Sequence, residues 1–288
     1  VLAETSVMGF DPKIIFKGYS KKVEIIQNNK ISVIQTSDPF IELKKLLGKS
    51  NDQKYRYLGG AVGVVNYDAI RLVENISNKN NFDQPLMEFG IYDDGLLYDN
   101  VDKKLFYFYH DENRFDKLIM GDDSFGEFFS SEVTPNMNKE KFSNIVNKAK
   151  QYIYDGDIFQ VVLSRKFEFE TSGDDLKLYQ ILRKLNPSPY MYHLKQDSKV
   201  IIGASPEMLV RITDDKVETF PIAGTRKITD DEEKNKALSD ELIHDEKELA
   251  EHTMLVDLGR NDIGRVCKYG TVHPESLMQI KRFSHVQH

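Results

Sequence analysis

Three short stretches carry residues whose types and spacing could do chemistry. In Glu246-Lys247-Glu248-Leu249-Ala250-Glu251-His252, Glu248 and Glu251 stand three apart, so on a helix both carboxylates leave one face and could jointly hold a hard divalent cation such as magnesium. His244 and His252 fall on or near that face. A solvated acidic face has the same charge pattern. Here, though, apolar Met254-Leu255-Val256 follows at once, then Asp257 and Arg260-Asn261-Asp262, which sets the acids beside a stretch suited to burial. In Gly203-Ala204-Ser205-Pro206-Glu207, Glu207 follows a proline in a turn between two strands. Pointed into a cleft, it would have its pKa raised by desolvation and suit general-acid work; facing water, it is an ordinary edge-strand glutamate. The third stretch is Phe220-Pro221-Ile222-Ala223-Gly224-Thr225-Arg226. A strand ending in Gly-Thr exposes backbone N–H groups and a hydroxyl that can receive a carboxylate, or it simply ends there.

The elements that must position these residues are read from periodicity. Lys13 to Phe16, Val23 to Ile26, Ile31 to Gln35, Ile91 to Leu97 and Lys104 to Tyr109 look like strands, with turn signals at Asn28-Asn29 and Asp93-Asp94-Gly95. The glycine-rich run from Leu58 to Tyr67 predicts either a close backbone approach or a kinked strand. A polar, poorly periodic stretch from Asp122 to Asn138 comes next. Lys139 to Tyr154 then places Phe142, Ile145, Val146, Ala149 and Ile153 on one face, an amphipathic helix closed by Gly156. A strand is expected over Ile158 to Phe169 and a helix over Asp175 to Leu185, ended by Pro187 and Pro189. Further strands are expected at Tyr190 to Leu194, Lys199 to Ile202, Leu209 to Ile212 and Val217 to Ile222. A long helix, or two shorter ones, should run from Asp230 to about Leu258. Consecutive strands without intervening helices predict antiparallel sheets, an α+β fold in which the strands between Ile158 and Ile222 form one sheet.

Composition narrows the functions. The chain has 288 residues, 40% hydrophobic and 30% charged, enough for a sizeable core in one large or two modest domains. A net charge of −7 argues against nucleic acid or an anionic membrane surface as partner. It does not exclude a small anionic substrate, because one bound metal reverses the local field. No apolar run is long enough to span a bilayer and Val1 to Asp11 is unlike a signal peptide, so a cytoplasmic protein is expected. The single Cys267 can form no internal disulfide and lies in no zinc-like spacing.

The order of the motifs is more specific than any one of them. Ile158-Phe159-Gln160-Val161-Val162-Leu163-Ser164-Arg165, Asn186-Pro187-Ser188-Pro189-Tyr190-Met191, Gly203 to Glu207, Pro221 to Arg226, Glu251 to Asp262 and Phe283-Ser284-His285-Val286-Gln287-His288 follow one another as in the chorismate-binding enzymes. The chain resembles that family densely from about Lys139 onward and more loosely before it, in Gly59 to Tyr67. The resemblance implies antiparallel sheets packed as a sandwich with helices outside. It also implies a β-rich region over 1–130 on the tryptophan-site side, and the N-terminal part of a catalytic domain over 131–288.

Two positions separate the family's branches. Isochorismate and salicylate synthases have a lysine in place of Gln160 as general base for water, whereas ammonia brings its own lone pair. Aminodeoxychorismate synthases have a nucleophilic lysine in place of Ala223. Gln160 and Ala223 thus imply the anthranilate-forming branch, in which chorismate and ammonia give anthranilate and pyruvate for tryptophan biosynthesis. Carried over residue by residue, the resemblance makes Glu251 a Mg2+ ligand with Glu248 beside it. Glu207 becomes the acid that protonates the departing C4 hydroxyl, Gly224 and Thr225 the substrate-binding pair, and His288 a group in the elimination of pyruvate. Pro189, Tyr190 and Met191 belong to a feedback site for tryptophan as inhibitor. A separate glutamine amidotransferase subunit is the implied ammonia source, since Cys267 has no nucleophile-like setting. The family pattern continues beyond His288 with further metal and substrate ligands, and its N-terminal Leu-Leu-Glu-Ser element has only a faint echo in Ala3-Glu4-Thr5-Ser6. A chain carrying half a site is expected to be inactive alone, so a non-catalytic binding fragment stays open as the rival reading.

Overall fold

The computed structural model describes residues 4–48, 55–76, 84–118, 125–283 and 285–288; Ala3 and Ser284 of the motifs above lie outside the described residues. Contacts divide the chain into two compact units, Val1–Gly121 with Asn186–His288, and Asp122–Leu185.

The first unit begins with β1 (Thr5–Met8), β2 (Ile14–Gly18), β3 (Lys22–Gln27), β4 (Lys30–Gln35), α1 (Pro39–Leu46), β5 (Gly60–Val65), β6 (Met87–Tyr92), β7 (Asp94–Asp99) and β8 (Lys104–Tyr109). Asn28 and Asn29, at φ 51 and 59, make the two-residue loop between Gln27 and Lys30, a left-handed geometry that asparagine tolerates and that matches the strands' twist. Asp38 caps α1 by accepting from the N–H groups of Phe40 and Ile41, with Pro39 at the first helical position. The order β4-β3-β2-β6-β5 forms one antiparallel sheet. Phe16, Val23 and Met87 are fully buried on it, with Leu43 of α1 and Ile91. Each such side chain contributes about 1.5–3 kcal/mol on leaving water.

The expected strand over Ile91 to Leu97 is two strands broken at Asp93. β6 stays in the five-stranded sheet, while β7 joins β1 and β8 in a second one. In the glycine-rich run the structure has the close approach. A Cβ on Gly63 would lie 1.9 Å from the Glu88 carbonyl oxygen, so only glycine lets β5 lie against β6.

The second unit holds β9 (Phe128–Ser130), β10 (Thr134–Pro135), α2 (Lys139–Tyr154), β11 (Phe167–Glu168), β12 (Thr171–Gly173) and α3 (Asp175–Leu185), with β9 paired to β12 and β10 to β11. Asn138 caps α2 by accepting from Lys141 N–H, and Gly156 at φ 80 follows its end. The strand expected from Ile158 to Phe169 is reduced to Phe167–Glu168, and Phe159 and Val162 are 89% and 88% exposed. Apolar alternation shows that a segment can bury a face, but a strand also needs a ladder partner. Among the described residues nothing pairs with 158–165.

The chain then adds to the first unit β13 (Tyr190–Gln196), β14 (Lys199–Ser205), β15 (Arg211–Thr213), β16 (Lys216–Glu218), β17 (Arg226–Lys227), α4 (Glu232–His244), α5 (Glu246–Gly264) and β18 (Val286–Gln287). These strands pair as separate two-stranded ribbons, not as the single sheet expected: β13 with β14, β15 with β16, β17 with β18. The expected helical stretch is two helices meeting at Asp245. Every named strand pair is antiparallel and helices are segregated from them, so the α+β class holds.

Candidate active site

The short ladder of β17 and β18 sets Arg226 opposite Gln287 and Lys227 opposite Val286. Pairing at that register carries Thr225 to His288, and Thr225 Oγ1 lies 2.9 Å from His288 Nδ1. The His288 backbone exchanges hydrogen bonds with Lys281 at 2.9 and 3.0 Å, and Phe283 meets its ring edge-on at 5.5 Å. Gln287 is wholly buried; it accepts from Ser239 Oγ at 2.6 Å and donates to the Asn235 carbonyl at 3.0 Å, which pins β18 to α4.

Gly224 sits at φ 61, in the left-handed region. Its bare Cα faces α4 and α5: a Cβ there would meet Leu242 Cδ1 at 2.6 Å and Glu248 Oε2 at 3.3 Å. The first turn of α5 is therefore packed directly against the Gly224-Thr225 segment that leads into β17, and the strand expected over Val217 to Ile222 is only Lys216–Glu218. Asp245 accepts from the N–H groups of Lys247 and Glu248. Donation from the Glu248 N–H and then Arg226 hold the Asp245 carboxyl below the ordinary carboxylate range, against the opposing effect of burial. Arg226 lies among three acids, 3.0 Å from Glu241, 3.0 Å from Asp245 and 3.7 Å from Glu248. Burial works against its charge, but the bonds to Glu241 and Asp245 outweigh it and raise the guanidinium further.

Glu207 is exposed, and its Oε1 accepts from the Ile222 N–H at 3.1 Å, two residues before Gly224. The Ser205 hydroxyl donates to the Glu207 carbonyl at 3.1 Å. Tyr190 and Met191 stand across the ladder from Ser205 and Ala204, so the Pro189-Tyr190-Met191 segment and Glu207 lie at the same end of one hairpin. His244 is exposed at the end of α4 and bonds to the Asp240 carbonyl. Gln160 is exposed in the second unit.

Glu248 and Glu251 offer two carboxylates to a divalent cation. Carboxylates are donors of the right hardness. They are too few: among the described residues no three His, Cys, Asp or Glu side chains gather where they could hold a metal ion. Lys247 instead lies 3.6 Å from Glu248 and 4.0 Å from Glu251. Two carboxylates on one helix, both beside Lys247, do not by themselves make up a cation site.

A profile for the chorismate binding enzymes matches residues 3–288. The chain belongs to the chorismate-binding enzyme family. It is 40% identical to the anthranilate synthase component 1 of Methanothermobacter thermautotrophicus, over 100% of this chain and 62% of that protein. It is 42% identical to that of Acetivibrio thermocellus, over 99% and 64%. The chain thus spans about three fifths of the length of these curated relatives. The solved structure of anthranilate synthase component I from Streptococcus pneumoniae matches at a TM-score of 0.76 and 29% identity, covering 100% of this chain and 68% of that one. Among the described residues, no helix is long and apolar enough to cross a membrane.

The structure gathers Gly224, Thr225, His288 and the first turn of α5, with Glu207 bonded to Ile222 in the segment that leads to Gly224. Three residues that assemble them had no role assigned from the sequence: Arg226 and Gln287, which stand in the motifs, and Asp245. Asp245, directly before an acidic first turn, carries the signal of a helix cap. Gln287 stands in the Phe283–His288 motif, but nothing local marks its burial against α4.

Proposed function

We propose that this chain carries part of the catalytic site of an anthranilate synthase component 1, converting chorismate and ammonia to anthranilate, pyruvate and water. The observation behind the proposal is the junction of Gly224-Thr225 with His288 and the first turn of α5, reached from residues 63 apart in sequence. Gly224 and Thr225 receive a chorismate carboxylate through backbone N–H groups and a hydroxyl. Glu207 gives a proton to the departing C4 hydroxyl while ammonia adds at C2, forming aminodeoxyisochorismate. His288, its ring fixed through Nδ1 by Thr225, serves the elimination of pyruvate that aromatises the ring. Gln160 and Ala223 offer neither a base for water nor an amine for covalent attack, which selects ammonia as nucleophile.

Mg2+ is the proposed cofactor, held by Glu251 and Glu248 together with donors from substrate and from outside these residues; when bound it would offset the negative charge of the substrate carboxylate. Ammonia would come from glutamine through a separate amidotransferase subunit. Pro189, Tyr190 and Met191 would take part in a site for tryptophan as feedback inhibitor. The proposed setting is cytoplasmic, with residues 1–130 on the tryptophan side, residues 131–288 in the catalytic domain, and the sheets of the complete protein packed as a sandwich.

The test is product identification with the full-length protein, chorismate, magnesium and ammonium. Fluorescent anthranilate is expected, with Glu207→Gln and Glu251→Gln abolishing it and His288→Ala letting aminodeoxyisochorismate build up. Isochorismate or 4-amino-4-deoxychorismate as main product overturns the branch, and normal rates in the two glutamate variants overturn the roles. The 288-residue chain alone should form no anthranilate.

A further inference from the structure

We infer that Arg226 is a positioning residue that holds the carboxylate-receiving Gly224-Thr225 segment, the elimination histidine and the acidic first turn of α5 in register. The inference rests on the proposed reaction. Arg226 itself needs no contact with substrate, because its guanidinium is occupied by the protein.

Four observations carry it. The side chain is only 17% exposed, and its Nε donates to Glu241 on α4 at 3.0 Å. Its Nη2 donates to Asp245, the cap of α5, also at 3.0 Å. Its Nη1 donates to the carbonyl of Thr225 at 3.1 Å and stands 3.7 Å from Glu248. Its backbone pairs with Gln287, the residue before His288. A planar, forked donor can satisfy partners on α4, at the α4–α5 joint and on its own strand at once, and the single ammonium of a lysine cannot. Glu248 is the most distant of the three acids. It can therefore exchange partners while Glu241 and Asp245 still hold the guanidinium. Without the fork, the Gly224-Thr225 segment and α5 lose their common anchor, and with it the Thr225–His288 contact. A displacement of about 1 Å in such an arrangement costs on the order of 100-fold in rate.

The experiment uses the full-length enzyme with chorismate, magnesium and ammonium, and reads both anthranilate and aminodeoxyisochorismate. Loss of stability alone would lower both steps together. Loss of position at His288 should slow the second step more than the first. Arg226→Gln is expected to lower anthranilate formation about 100-fold and to raise the intermediate's share of product, with the wild-type circular dichroism spectrum kept. Arg226→Lys should not restore the wild-type product ratio. Glu241→Gln removes a mostly exposed partner and should shift the ratio the same way by less, so the inference stays testable if Arg226→Gln does not fold. An unchanged product ratio in Glu241→Gln and in whichever Arg226 variants fold overturns the inference, as does full rescue by lysine. A wild-type enzyme that forms neither product overturns the proposed reaction instead.

Discussion

Replacing Gly224 with alanine separates two costs that the structure superimposes at one residue. Gly224 lies at φ 61, where an L side chain costs about 1–2 kcal/mol. The new Cβ would also stand 2.6 Å from Leu242 Cδ1, on a side chain only 5% exposed that has to move within the α4 packing. Overpacking of that kind costs about 1–3 kcal/mol, so the sum is about 2–5 kcal/mol. Gly270 provides the control: at φ 78 it shares the left-handed conformation, but a Cβ there meets nothing within 4 Å. Gly270→Ala should therefore cost only the conformational part, about 1–2 kcal/mol. Urea unfolding of both variants, followed by circular dichroism, yields the packing cost as their difference, about 1–3 kcal/mol. If Gly224→Ala proves no worse than Gly270→Ala, the described contact between Gly224, Leu242 and Glu248 is wrong.

Gln287→Leu should lower stability by about 1–3 kcal/mol, because the Ser239 hydroxyl and the Asn235 carbonyl lose their buried partner; thermal unfolding reads this, and an unchanged midpoint would show the network to be idle. Gly63→Ala should detach β5 from β6, since the added carbon would overlap the Glu88 carbonyl; amide exchange across Gly60–Val65 should then rise well above that of β2 and β3. Stability should fall in acid. Burial disfavours the Asp94 carboxylate, but bonds from Arg114 and Tyr107 outweigh this and set its folded pKa below the ordinary value. A depressed carboxylate stabilises the fold at neutral pH. That contribution disappears as pH drops through the ordinary value toward the folded one. The urea midpoint should decline between about pH 5 and pH 2, and Asp94→Asn should flatten the decline; parallel slopes in the two proteins would assign the acid sensitivity elsewhere.

Local signals were enough for the elements whose causes are local. The helix at Lys139–Tyr154 has its cap, its stripe and its glycine stop within the segment, and the helix at Asp175–Leu185 likewise ends before Pro187. The Asn28-Asn29 hairpin needed only two residues that tolerate positive φ. Segments whose structure depends on a distant partner were not legible. Ile158 to Arg165 alternates as a strand should, yet it pairs with nothing among the described residues. Ile91 to Leu97 reads as one strand, because which sheet each half joins is decided by β1, β2, β5 and β8. The same holds for the site. Glu248, Gly224, Thr225 and His288 were visible as types in motifs. Arg226 and Gln287, which bring them together, act across α4 and a ladder that no local pattern reveals.

The Thr225–His288 contact bridges 63 residues of sequence, a closure costing about 4 kcal/mol in chain entropy before any bond forms. A two-residue ladder, anchored by Gln287, has to hold it shut. On the ribosome, the Gly224-Thr225 segment and the helices α4 and α5 are all made while His288 has yet to be synthesised. A nascent chain at that stage has the Gly224-Thr225 segment without its histidine partner, so this junction stays open until the residues through His288 have been made.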